Sequence, residues 1–128
     1  VSQSILKLKP LKAVYGNIDD NKIREKFEED LTFSCEGLKI YMTHIGGYPG
    51  NYNRRAKKII EAFKPNIFIC GHSHILKIIN DKNNSLLHMN PGACGIQGFH
   101  KKRTMIKFNI ENLKVKSVSI IELSNKII

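Results

Sequence analysis

Residues Asn66–Lys77 read "NIFICGHSHILK". Ile67 to Cys70 is a short apolar run of the kind a strand shows when both of its faces are buried. Gly71 then lets the backbone leave that strand sharply. Two imidazoles follow, His72 and His74, with only Ser73 between them. If the backbone stays extended there, residues two apart point to the same side, and both rings face one cavity. Upstream, "RRAKKIIEAF" (54–63) puts Ala56, Ile59, Ile60 and Phe63 on one face of an amphipathic helix, which Pro65 ends. Before that helix, "GLKIYMTH" alternates as a strand from Leu38 to Thr43 and runs out on His44. Strand, helix and buried strand in succession argue for an α/β first half.

Working outward, Ser4 to Lys9 reads as the end of a helix stopped by Pro10. Ala13 to Tyr15 reads as a short strand ending at Gly16, and Asn21 to Glu29 as a short charged helix. "IGGYPGNYN" (45–53) is a loop, with three glycines and a proline in nine residues. Beyond Cys70 the pattern changes to strands alone: Ile75–Ile79, Leu86–Met89, Met105–Ile110 and Val115–Leu123. Asp81 to Asn84 forms a hairpin turn between the first two. An α/β half followed by hairpins predicts a mixed α/β sandwich rather than a doubly wound sheet. No repeat, low-complexity tract or linker interrupts the chain, so residues 1–128 are expected to be one domain.

With 128 residues, 41% of them hydrophobic, the chain can build a modest core and is neither a disordered tail nor a coiled coil. No apolar run approaches the roughly 20 residues that span a bilayer, and no signal sequence opens it. The first residue is Val1 rather than Met, so an upstream segment is expected to be absent from this sequence. Cys35, Cys70 and Cys94 are odd in number and widely spaced, which argues against a disulfide framework and for a reducing cytoplasm. The formal net charge of +10 invites a polyanion-binding reading. The lysines are spread along the whole chain, however, with local clusters only at Arg54 to Lys58 and Lys101 to Arg103. A solvated basic surface is therefore favoured over a nucleic-acid face, and His88 and His100 are read as ordinary hydrogen-bonded or surface imidazoles.

Three polar loops share one placement. Asn17 and Asp19 follow Gly16, His44 follows Thr43, and His72 and His74 follow Cys70. In open α/β sheets, ligands collect outside the carboxyl ends of parallel strands, where loops distant in sequence converge. A pair of metal ions about 3.5–4 Å apart would suit two imidazoles that reach neighbouring ions.

Four blocks in order, "GNID" (16–19), "MTHIGG" (42–47), "GHSH" (71–74) and "NPGA" (90–93), together resemble the calcineurin-like metallophosphoesterases. Within them the chain is most similar to the small YfcE-type phosphodiesterases, over the stretch from about Pro10 to Ile110. The resemblance implies a four-layer αββα sandwich of two mixed sheets, here without its N-terminal strands. It implies that Asn17, His44 and His72 bind one metal and His74 the other, and that Asp19 lies outside the ligands, fixing the loop or a histidine tautomer. Asn90-Pro91-Gly92 would shape the loop beneath the site. The implied reaction is hydrolysis of a small phosphate ester by a metal-bound hydroxide, with two divalent ions. Manganese is favoured, and Fe, Ni, Co and Zn also suit these ligands.

The family's Asp-x-His and Gly-Asp blocks, which supply acidic ligands and the bridging aspartate, are not found in this sequence. One metal therefore keeps three ligands and the other only His74. Weak metal binding and slow or no turnover are expected, together with an exposed apolar sheet edge inclined to self-associate. Ile18 stands where many relatives have a proton-donating histidine, and it cannot transfer a proton. The alternative to an enzyme is a non-catalytic interaction scaffold on the same fold, as in the family's retromer subunit.

Overall fold

The computed structural model describes residues 1–124. Two short helices open the chain, α1 (Ser2–Leu6) and α2 (Asn21–Lys26), and neither buries a residue. The hairpin β1 (Asp30–Cys35) and β2 (Leu38–Thr43) follows, then a two-residue ladder of β3 (Gly47–Tyr48) with β4 (Asn51–Tyr52). Helix α3 (Arg54–Phe63) leads to β5 (Ile67–Ile69). The hairpins β6 (Leu76–Asp81) with β7 (Leu86–Pro91) and β8 (Thr104–Glu111) with β9 (Lys114–Glu122) complete the order.

The main sheet runs β1-β2-β5-β7-β6. Its centre is parallel, with Ile40 opposite Ile67 and Ile67 opposite Leu87, whereas both edge strands are antiparallel. Strand alternation sends side chains to two separate cores. On one face Tyr41, Phe68, Cys70 and Leu86 pack under Ala56 and Ile60 of α3. On the other, Leu38, Ile40, Ile67 and Met89 pack under Ile106, Phe108, Ile110 and Val115 of the β8–β9 ribbon. The expected mixed α/β fold is therefore present. Helix, mixed sheet and antiparallel ribbon form three layers, and the second sheet is a two-stranded ribbon among the described residues.

Local chemistry sets the helix bounds. Asn53 caps α3 by accepting from the Arg55 N–H at 3.0 Å, and Lys64 closes it in the left-handed region (φ 52°) before Pro65. Asp20 caps α2 through the Ile23 N–H. That helix stops at Lys26 rather than Glu29 because the next backbone groups have tertiary partners. The Glu28 carbonyl accepts from the Tyr15 N–H, and the Glu29 carbonyl accepts from Thr43 Oγ1.

The strand expected at Ala13–Tyr15 is reduced to a single parallel bridge, Val14 to Glu28, because from Asp30 onward β1 turns to pair with β2. Strand β1 itself was not anticipated, although Leu31 and Phe33 alternate and Glu36-Gly37 supplies a left-handed hairpin turn (φ 49° and 83°). Asp81 is the expected turn residue. It accepts from the Asn83 and Asn84 N–H groups and from the Tyr52 hydroxyl at 2.7 Å.

Candidate metal centre

The carboxyl ends of β2 and β5 lie side by side. Thr43, 1% exposed, is the last residue of β2, and Cys70, 3% exposed, follows β5. The Gly71 N–H donates to the His44 carbonyl at 2.9 Å and ties the two loops together. From this base His44 Nε2 reaches Asn17 Oδ1 at 2.9 Å, and His72 Nδ1 stands 3.3 Å from the same nitrogen. The loop carrying Asn17 is held by Asp19, whose carboxylate accepts from the Gly16 N–H at 2.6 Å. It is also held by Arg24, which donates to the Asn17 and Asp19 carbonyls. Gly16 lies against the His44 ring.

The chain leaves β5 in a way the simple spacing argument did not foresee. His72 and His74 are left-handed, with φ 68° and 60°, rather than extended. The turn separates their partners. His72 joins His44, whereas His74 Nδ1 lies 3.1 Å from His100 Nδ1. His100 fits the expected hydrogen-bonded imidazole, and no periodicity in residues 92–103 signals that this loop folds back to His74. Asn90 braces the turn from beneath, donating to the Gly71 carbonyl at 3.2 Å and to Ser73 Oγ at 3.1 Å. Its own Oδ1 accepts from the Gly92 N–H, so the Asn-Pro-Gly block has a shaping place under the loop.

His88 departs from the ordinary reading. It is 1% exposed on the α3 face of β7, and its Nδ1 has no hydrogen-bond partner. Burial, reinforced by Lys77, holds its pKa below the usual histidine range against the pull of Asp81.

The donor set fits one divalent cation. Asn17 Oδ1 only accepts, so a single proton on His44 Nε2 must serve a cluster of three lone-pair atoms. One ion bound through bonds of about 2.0–2.2 Å spaces neighbouring donors about 3.0–3.5 Å apart, close to the separations found here. Burial lowers the His44 pKa, with the His72 ring adding to the effect, which keeps the imidazole neutral as ligation requires. Among the described residues no group of three His, Cys, Asp or Glu side chains is placed to hold a metal. Asn17, His44 and His72 border a cavity of about 710 Å³ that His74, Phe99 and Gln97 also line.

The polar loops of this mixed α/β sheet gather at the ends of parallel strands around a histidine-rich cavity, the place where open α/β sheets bind ligands. The match to a family model then narrows the class. Residues 1–113 match the calcineurin-like phosphoesterase superfamily domain, and the chain belongs to that family. No curated protein sequence matches it. Among solved structures, the chain is similar to wild-type Vps29 of Entamoeba histolytica complexed with zinc. That match has a TM-score of 0.68 at 18% identity and covers 94% of this chain and 73% of that one. A conserved Streptococcus pneumoniae protein described as a predicted phosphoesterase gives a TM-score of 0.67 at 20% identity, covering 90% and 64%. A novel archaeal phosphodiesterase gives 0.59 at 20% identity, covering 87% and 67%. These likenesses establish the fold. No helix among the described residues is long and apolar enough to cross a membrane.

Proposed function

We propose that the chain binds a divalent cation, manganese by preference, through Asn17 Oδ1, His44 Nε2 and His72 Nδ1, and that this centre hydrolyses small phosphate esters in the cytoplasm. The observation that carries this reading is that Asn17 Oδ1 and His72 Nδ1 stand 2.9 and 3.3 Å from His44 Nε2. A bound ion supplies an activated water and neutralises charge on the phosphoryl oxygens. The chain's own groups do the rest. Asp19 and Arg24 fix the Asn17 loop, Asn90 fixes the turn at Gly71–Ser73, and the cavity gives a phosphate ester room beside the ligands. Ile18 is 90% exposed beside Asn17 and offers no proton, so the leaving oxygen must be protonated by water.

A second ion would have His74 as its only proposed ligand on this chain, and turnover is expected to be slow or absent. The test is to titrate Mn²⁺ into the metal-free chain by calorimetry and then to assay bis(p-nitrophenyl) phosphate. One bound equivalent, lost in His44→Ala and His72→Ala, supports the site. Binding that survives both substitutions removes it. Brisk hydrolysis would overturn the expectation of an impaired enzyme.

A second reading, an interaction module like that proposed from the Vps29 likeness, is favoured by Ile18 and Phe99. These two residues are 90% and 105% exposed on opposite loops of the same cavity. Truncating both to Ala separates the readings. An enzyme keeps its metal binding and whatever turnover it has, whereas a scaffold loses its partner.

A further inference from the structure

The segment that carries the chain from His44 to α3 is fastened to strand β6 at two points. The Tyr52 hydroxyl of β4 donates to the Asp81 carboxylate at 2.7 Å, and the Lys77 ammonium lies 4.5 Å from the centre of the Tyr48 ring of β3. The β3–β4 ladder itself has only two residue pairs, Gly47 with Tyr52 and Tyr48 with Asn51. Burial alone would raise the Asp81 pKa, but hydrogen bonds from Tyr52, Asn84 and Asn83 outweigh it and hold the carboxyl below its ordinary range. Burial and the same bond push the Tyr52 hydroxyl up, so it stays a donor.

His88 sits among these fastenings. It pairs with Ile79 across the β6–β7 ladder, so Lys77 and Asp81, two residues to either side of Ile79, share its face. Phe68 of β5 stands opposite it on the other side, and the Tyr52 ring lies 6.2 Å from its ring. The charges that act on it are those of Lys77 and Asp81, both on β6. The α3 side chains in this core, Ala56, Ile59, Ile60 and Phe63, carry none.

A charged His88 does not suit the closed arrangement. Its buried Nδ1 would carry an N–H with no acceptor, and an unpaired buried charge is strongly unfavourable. Asp81 is the anion on its face, but Oδ1 already accepts from the Asn83 and Asn84 N–H groups, and Oδ2 from the Tyr52 hydroxyl and the Asn84 amide. Four bonds fill the capacity of a carboxylate. Relief comes from water reaching the ring or from Asp81 leaving Tyr52. Strands β5 and β7 are paired on both sides, so the short β3–β4 ladder is the cover that yields first. We propose that residues 46–53 form an acid-released strap, fastened through Tyr52 and Tyr48 and let go when buried His88 takes up a proton. The device needs no metal ion and stands whether or not the proposed centre binds one.

Linkage sets the sign and the size. With the strap closed, His88 binds a proton less readily than a solvated histidine of pKa about 6.5. Below about pH 6.5 the open strap gains up to about tenfold per pH unit, and above it opening is independent of pH. The test is amide hydrogen exchange by NMR on the 128-residue chain from pH 7.5 to 5. Rates are corrected for the intrinsic effect of pH, and the His88 ring resonances are followed in parallel. The Asn53 N–H donates to the Gly46 carbonyl at 2.9 Å and closes the strap. Its protection is expected to fall about tenfold along the His88 titration, while Phe68 and Met89 in the central sheet keep theirs.

His88→Leu and His88→Gln remove the proton site, and in each the strap should lose its pH dependence. Tyr52→Phe cuts the bond to Asp81 and should lower strap protection at pH 7.5 as well, leaving the central sheet unchanged. The proposal is overturned if His88 stays neutral down to pH 5, if it is protonated with the strap still protected, or if the whole sheet loses protection together. It is also overturned if the decline survives in a folded His88 variant, which would place the trigger at His44, just before the strap. Should neither His88 variant fold, the wild-type profile decides, because the strap and His88 midpoints must coincide.

Discussion

His44 and His74 line the same cavity, but one hangs from a central strand and the other from a turn and a loop. His44 follows a residue 1% exposed and is tied by its carbonyl to the strand next door. His74 finds its partner in residues 95–100, a stretch where Ile96 and Phe99 are 64% and 105% exposed. The His44 half of the cluster thus starts from the buried sheet, while the His74 half is held by a surface loop. Sites on rigid elements are the more exact, and loops are where geometry can be retuned.

The two halves can be perturbed separately, and four variants do so with decreasing effect on the fold. Phe68→Ala should hurt most. The ring is fully buried, stacks on Tyr41 at 4.8 Å and underlies the ends of both β2 and β5. A loss of about 3–5 kcal/mol by urea denaturation is expected. A much smaller loss would mean that the sheet does not support the His44 half as described.

Gly46→Ala comes next, because a Cβ there would overlap the Phe68 ring and Cys70. Overpacking of this kind costs about 1–3 kcal/mol. The His44 and His72 ring resonances should shift while the His74–His100 pair stays put. Equal movement in both halves would show that they form one unit.

Gly98→Ala is the mirror experiment. At φ 114° a Cβ is strained and would overlap the His74 ring, so a loss of about 1 kcal/mol is expected, with the His74 resonances moving and those of His44 and His72 staying put.

The smallest effect is acid sensitivity from His88. Its folded pKa lies below the unfolded value of about 6.5, so the unfolded chain takes up the proton first. Stability is fully present above about pH 6.5 and falls as the pH drops through the folded value. His88→Leu should flatten that decline when urea midpoints at pH 7.5 and 5 are compared. Some slope should survive, since burial lowers the His44 pKa in the same direction. An unchanged slope would show that His88 is not the group being protonated.

Most of the framework was legible because its elements follow period and punctuation. The stripe of Ala56, Ile60 and Phe63, the apolar run at Ile67 and the alternation from Leu38 each carry their own signal. The bridge at Val14 misled because strand-like composition says nothing about whether a neighbour pairs on both sides. Strand β1 was readable in Leu31 and Phe33 but sat close behind a charged helix. Within the candidate site, residue types and their gathering at strand ends could be read from the chain. The sorting of His72 from His74 could not, since extended spacing fails once both residues turn left-handed. The approach of His100 depends on a twelve-residue loop path (92–103) that no local pattern encodes.

The left-handed backbone at His72 and His74 has an evolutionary corollary. An L-residue with a Cβ gives up roughly 1–2 kcal/mol in that conformation, whereas glycine adopts it at little cost. In a population screened for heat resistance alone, with no demand on activity, these two codons would be among the first to drift to glycine or asparagine. The same torsion falls to Lys64, Ser85 and Leu113 elsewhere in the chain, so glycine at those positions would add robustness too.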